Sequence, residues 1–246
     1  MRVTRYAEIE WSRRGKADSV GAPDGASNRP RPATEVKVLQ RGEPGRQGYF
    51  EMVVSRYPEH KDYKRHRHIV DQIRYTLAGS SPWEPDRATE EGGLLYVPAH
   101  TYYGPYVRPA GVELLAVQCA AGNDQPFEEE SVPPELDTGR PPTRFTVPIE
   151  LLPDAFPWRV AAPGVRIKDL LRVAAQGTAL SMISVADGKR HQLVSGQRTL
   201  AFVLRGAGTV GGQAVAERDG LYLDPAEEVD VSSDLELELL LIGLPT

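Results

Sequence analysis

The densest polar run in the sequence is His66-Arg67-His68-Ile69-Val70-Asp71-Gln72-Ile73-Arg74. On a β-strand, residues two apart share a face, so His66, His68, Gln72 and Arg74 would point to one side and Arg67, Ile69, Asp71 and Ile73 to the other. Two imidazoles on one strand face are placed to share a metal ion, and neutral imidazole suits zinc, copper, iron, nickel and manganese. Gln72 could add an amide oxygen. Arg74 would be costly to bury alone; facing inward, it either pairs with an acid or binds an anion such as a carboxylate or phenolate. Without a metal, the same histidines are hydrogen-bonded rings lining an interior, and Gln72 is an amide that orients one of them. His60, His100 and His191 read as surface or turn residues, and Cys119 as a small buried side chain.

These residues need strands to position them, and the composition favours strands. The chain has 246 residues with 23 Gly and 21 Pro, punctuation that long helices do not tolerate and short strands do. Val, Ile, Leu and Tyr cluster over residues 35–39, 48–57, 66–77, 93–97, 102–107 and 112–118, then 179–185, 199–204, 220–223 and 235–242. Residues 167–173 are ambiguous between strand and helical turn. Residues 12–34 offer almost nothing to bury, and residues 120–142 combine prolines with the acidic run Glu128-Glu129-Glu130. The expected organisation is a mobile or draped segment over 1–34, a β unit over 35–119, a linker over 120–142 and a second β unit over 143–246.

An internal repeat supports two copies of one unit. Tyr75-Thr76-Leu77-Ala78-Gly79 is followed by Gly93-Leu94-Leu95-Tyr96-Val97-Pro98. Phe202-Val203-Leu204-Arg205-Gly206 is followed by Gly220-Leu221-Tyr222-Leu223-Asp224-Pro225. The Gly-to-Pro spacing is 19 residues in both, at a constant offset of 127. That offset maps His66 to Leu193, His68 to Ser195, Gln72 to Thr199 and Tyr103 to Asp230, so no metal set survives in the second copy.

The first copy resembles the cupin superfamily. His66, His68, Gln72 and Gly79 stand at the spacing of its first motif, and Gly92, Pro98, His100 and Tyr103 at that of its second. His100 replaces the second motif's glycine, Tyr103 its histidine, and Gln72 the first motif's glutamate. Trp158, Pro163-Gly164-Val165, Lys168 and Leu170 look like the opening of cupin domains of the anti-sigma-factor type. The resemblance implies an all-β protein of two antiparallel cupin-type β-barrels from an internal duplication, with the functional pocket in the N-terminal one. It also implies one divalent transition metal (Fe, Mn, Ni, Zn or Cu) held weakly by His66, His68, Gln72 and Tyr103.

On this reading Tyr103, Gln72 and Arg74 position the substrate or relay a proton. The chain is a metal-dependent enzyme of dioxygenase or isomerase type acting on a small aromatic or anionic metabolite. The alternative is a metal-free or non-catalytic small-molecule-binding cupin, with His66 or His68 as general base if it is catalytic. Tyr75, Tyr96, Tyr102, Tyr103 and Trp83 are the expected pocket walls. A net charge of -5 argues against nucleic acid as partner. No apolar run approaches the ~18 residues that span a bilayer. One cysteine and the absence of an apolar leader make the cytoplasm the expected compartment, with a small molecule and a second copy in a homodimer as the partners considered.

Overall fold

The computed structural model describes residues 1–14, 34–43, 48–68, 70–120, 127–128, 147–173 and 177–245. Its regular elements are almost entirely antiparallel strands, the all-β class expected. Among the described residues the helical segments, Tyr6–Glu8 and Pro153–Ala155, are single 3-10 turns. Among the described residues no helix is long and apolar enough to cross a membrane.

The chain divides into two units. One comprises Trp11–Val38 and Gly42–Leu152; the other comprises Met1–Glu10, Leu39–Arg41 and Pro153–Thr246. In the first unit the main sheet runs in the order Ile149–Leu151, Leu94–Val97, Asp71–Ala78, Glu113–Ala120, Tyr49–Arg56, Thr34–Arg41 and Ser12–Arg14. Short pairs join Tyr106–Arg108 to Lys61–Tyr63, Phe127–Glu128 to His66–Arg67, and Ser80–Glu84 to Arg87–Glu90. In the second unit the order is Arg2–Thr4, Gly220–Leu223, Thr199–Val210, Glu228–Gly243, Thr178–Val185, Val165–Val173 and Arg159–Ala162. The ambiguous stretch near residue 167 is therefore strand.

The division differs from the expected one at the chain's joints. Arg2–Thr4 is not draped: it pairs with Gly220–Tyr222, and Val3 packs against the second unit's core. Ser12–Arg14 pairs with Thr34–Val36 in the first unit. Ile149–Leu151, expected in the second unit, pairs with Leu94–Tyr96 in the first. The physical reason is common to all three. An open sheet edge leaves a row of unpaired N–H and C=O groups, and a three-residue strand suffices to satisfy it. The expected mobile stretch from residue 15 to 33 lies outside the described residues. So does the expected linker, apart from Ala120 and Phe127–Glu128.

The repeat is real in three dimensions. Gly79 and Gly206 are both in the left-handed region, at φ +76° and +84°; Gly79 follows the end of Asp71–Ala78, whereas Gly206 lies within Thr199–Val210 where the ladder shifts register. Gln72 lies between Val97 and Gln118 in the first sheet, and Thr199 lies between Leu223 and Gly243 in the second. The offset is thus 127 on this strand and drifts to 126 and 125 on its neighbours. The interiors differ in chemistry. The second unit packs Val203, Leu221, Leu223, Leu237 and Leu239 into a fully buried aliphatic core, with Leu193 against it. The first buries His66, His68, Gln72 and Arg108 among Trp83, Tyr103 and Tyr106.

Candidate functional site

The strand expected over residues 66–77 is interrupted, and the interruption shapes the site. His66–Arg67 forms a short strand, and regular structure resumes only at Asp71. His66 and Tyr103 exchange backbone hydrogen bonds in an isolated bridge (N–H to O, 3.1 and 3.0 Å). The His68 carbonyl accepts the His100 N–H at 2.7 Å and so leaves the ladder. His100, the residue in place of the motif glycine, sits at φ +63°, the conformation that favours glycine. Asp71 faces away from the histidines. Its Oδ1 accepts the Ala99 N–H at 2.8 Å and its Oδ2 the Tyr96 hydroxyl at 3.1 Å. This carboxylate pins the turn that carries the chain towards Tyr103, and it takes Tyr96 out of the expected pocket wall.

Despite the break, His66, His68, Gln72, Arg74 and Tyr103 come together. The two imidazole centroids lie 5.3 Å apart, edge to face. Tyr103 is fully buried, with its ring 4.4 Å from His66 and 6.0 Å from His68. His68 Nε2 is 3.0 Å from the Tyr103 hydroxyl oxygen, which is also 3.0 Å from Gln72 Oε1. Arg74 Nη2 donates to Gln72 Oε1 at 2.9 Å and to the Tyr103 oxygen. The Arg74 guanidinium carbon stands 4.9 Å from the centre of the Tyr103 ring. His66 Nδ1 donates to the Lys64 carbonyl at 2.7 Å, which makes Nε2 the lone-pair nitrogen of a neutral His66 ring.

The packing of Arg108 among Tyr57, Tyr63 and Tyr106 was not foreseen from the sequence. Arg108 is 1% exposed; its Nη1 donates to the Tyr57 oxygen at 3.1 Å and its Nη2 to the Pro82 carbonyl at 3.3 Å. Its guanidinium lies 4.8, 5.5 and 5.1 Å from the rings of Tyr57, Tyr63 and Tyr106. Tyr106 stacks on Tyr63 at 4.8 Å, and both pack with Trp83 and Tyr103. The signal available was the alternation Tyr106, Arg108 on one strand face. Tyr102 lies instead against the Arg65 and Arg67 guanidiniums.

The electrostatics follow from burial. Among the described residues, neither Arg74 nor Arg108 bonds a carboxylate. Burial disfavours the Arg74 cation, while charge interaction with the Tyr103, Tyr106, Tyr57 and Tyr63 side chains as they ionise pushes the other way, and the group titrates above its usual range. Burial, then His66 and Arg74, hold His68 well below the usual histidine range, so it is a neutral ring at neutral pH. Burial pushes the Tyr103 phenol above its usual range although Arg74 pulls it down. Tyr57 moves the other way: burial raises it, yet Arg108, the Tyr63 hydroxyl and the nearby cations together lower it.

This donor set does not fit a divalent cation as folded. The Gln72 and Tyr103 oxygens, two of the expected ligands, already receive the Arg74 guanidinium, so an ion between them would face a fixed positive charge. Tyr103 is held neutral, and among the described residues no three of His, Cys, Asp and Glu gather in one place. Buried polar atoms without partners point elsewhere. Around the histidines and tyrosines they include His68 Nδ1, Arg74 Nη1, Trp83 Nε1, the Tyr106 hydroxyl and Arg108 Nε. Both guanidinium nitrogens and the indole nitrogen in this set can only donate hydrogens, which suits an anion.

No protein-family model matches the sequence, and no curated protein does. Solved structures match in fold. A Nostoc punctiforme protein provisionally assigned as a dioxygenase aligns with a TM-score of 0.73 at 12% identity, over 99% of this chain and 82% of its own. Bacillus subtilis oxalate decarboxylase, described as having Mn(II) centres, aligns at 0.58 and 13% identity, over 85% and 77%. Salicylate 1,2-dioxygenase of Pseudaminobacter salicylatoxidans aligns at 0.58 and 12%, over 78% and 70%. The architecture of the chain is therefore the all-antiparallel, cupin-type β fold that its first motif resembles.

Proposed function

We propose that the first unit is a small-molecule site that captures an organic anion through Arg74, with His66, His68, Gln72 and Tyr103 around it, and that it does so without a metal. The observation that carries this is Arg74 itself. Its Nη1 is shielded from solvent without a partner, and no carboxylate of the described residues bonds its guanidinium. Leaving a buried cation uncompensated costs several kcal/mol, as an order of magnitude, and a bound carboxylate removes most of that cost. The aromatic shell of Tyr63, Tyr103, Tyr106 and Trp83 suits a ligand with an apolar or aromatic body.

Gln72 and Tyr103 act in this reading as orienting groups. Gln72 turns its oxygen to Arg74, and the Tyr103 oxygen ties Arg74 to His68. The depressed basicity of His68 suits hydrogen-bond acceptance better than proton abstraction, so the reading is a binding site first. Thermal-shift measurements on chelator-treated protein test it, with benzoate against benzamide. Stabilisation by the anion alone, lost in Arg74→Met, supports the proposal; equal response to both, or none, overturns it.

The second reading is a metal-dependent dioxygenase or isomerase with His66 and His68 as ligands to a divalent ion. The observation in its favour is the pair of imidazoles 5.3 Å apart in a fold shared with a manganese protein and a salicylate dioxygenase. It requires Arg74 to leave Gln72 and Tyr103, so metal titration separates the two readings.

A further inference from the structure

The hydrogen-bond directions around Tyr103 can be fixed one after another. A guanidinium only donates, so the Gln72 atom facing Arg74 at 2.9 Å is its oxygen, and the amide orientation is settled by chemistry. That oxygen only accepts, so the hydroxyl of Tyr103, 3.0 Å away, gives it its single proton. The Tyr103 oxygen then has only lone pairs left. It accepts from Arg74 Nη2, and it accepts from His68 Nε2 at 3.0 Å. His68 is thus the tautomer with its hydrogen on Nε2. A second proton on this ring would place another cation beside Arg74, with no carboxylate of the described residues bonded to either, so Nδ1 carries a lone pair.

Two unpartnered atoms therefore belong to side chains that bond the same phenol oxygen, and they ask for opposite things. His68 Nδ1 is an acceptor without a donor, on a residue 5% exposed. Arg74 Nη1 is a donor without an acceptor. His68 lies along the Tyr103 ring at 6.0 Å, and the Arg74 guanidinium lies over the same ring at 4.9 Å.

From this pairing, and resting on the anion-binding reading above, we infer that the ligand is a hydroxy acid, its carboxylate on Arg74 Nη1 and its neutral hydroxyl donating to His68 Nδ1. The alternatives fail on the same two atoms. A dicarboxylate has no proton to offer an acceptor. An amino acid offers N–H groups but adds a positive charge to an interior that already holds two guanidiniums. A simple carboxylate leaves His68 Nδ1 buried and unsatisfied, which is penalised.

Isothermal titration of chelator-treated protein with two matched pairs tests the inference: mandelate against phenylacetate, and 3-hydroxybutyrate against butyrate. In at least one pair the hydroxy acid binds about tenfold tighter or more, equal to about 1.4 kcal/mol. The preference falls below about twofold in His68→Phe, by the same conversion. Mandelate O-methyl ether, which keeps the oxygen and loses the proton, gives the same loss in wild type and does not depend on the variant folding. Equal affinity within both pairs, or a preference that survives His68→Phe or O-methylation, overturns the hydroxy-acid inference; if Arg74→Met still abolishes binding, the anion site stands. Binding by none of the four acids, or binding indifferent to Arg74→Met, overturns both.

Discussion

Replacing Arg74 by methionine separates a ligand-binding cation from a structural one. The side chain makes two hydrogen bonds, to Gln72 and Tyr103, and one cation–π contact with the Tyr103 ring. Charge-assisted bonds are worth about 1.5–3 kcal/mol each and the ring contact about 0.5–2 kcal/mol. Against this stands the desolvation of a guanidinium, several kcal/mol as an order of magnitude, with no carboxylate of the described residues to offset it. Methionine leaves no orphan behind: Gln72 Oε1 still accepts from Tyr103, whose oxygen still accepts from His68. The gains and losses nearly cancel, so urea unfolding of the ligand-free variant is expected within about 2 kcal/mol of wild type. In a saturating organic acid the two separate, because a ligand at about 100 times its Kd stabilises wild type by about 2.7 kcal/mol and leaves the variant unchanged. A ligand-free loss of about 4 kcal/mol or more would refute the reasoning. It is the size expected when a buried ion pair is broken, and it would mean that the fold supplies Arg74 with its own counter-ion.

Four further outcomes are expected. Because His68 titrates well below the unfolded reference of 6.5, the unfolded chain binds the extra proton first; stability is complete above that pH and falls by up to about 1.4 kcal/mol per pH unit on acidification towards the folded value, a slope that His68→Gln removes in chemical denaturation. Calorimetric titration with Mn2+, Fe2+, Ni2+, Cu2+ or Zn2+ shows no saturable uptake; one ion per chain, lost in His66→Ala with His68→Ala, would favour the metal-dependent reading. Asp71→Ala removes the acceptor of the Ala99 N–H and of the Tyr96 hydroxyl and destabilises by about 2–4 kcal/mol in urea melts. Gly79→Ala costs about 1 kcal/mol for its φ alone, its added Cβ meeting Val112 at a comfortable 3.5 Å, whereas Gly206→Ala forces a Cβ to 2.1 Å from the Glu236 carbonyl and costs several-fold more.

The parts of this fold that repeat were legible in the sequence, and the parts that join were not. Gly79 recurs as Gly206 because a left-handed backbone position favours glycine and so leaves a chemical mark. Arg2–Thr4 and Ile149–Leu151 leave none: three residues are too few to show alternation, and their role is to satisfy an edge built by distant strands. At the site, alternation placed His66, His68, Gln72 and Arg74 together correctly, although the strand breaks after Arg67. It could not say which charge would occupy the centre. That depended on Arg74 reaching across to Tyr103, 29 positions away in the chain, and on Arg108 arriving from another strand among tyrosines. Residue types announced a polar interior; only the third dimension showed that, among the described residues, no carboxylate bonds Arg74 or Arg108.

The central claim is that Arg74, and not a metal, holds the ligand. The direct measurement is isothermal titration of phenylacetate and mandelate into chelator-treated protein, wild type and Arg74→Met, before and after Mn2+ and Fe2+ are supplied. The account requires saturable binding of at least one acid at one site per chain in the wild type, unchanged by the metals and absent from Arg74→Met. Binding that emerges only when a metal is supplied, or that persists in Arg74→Met, would contradict it.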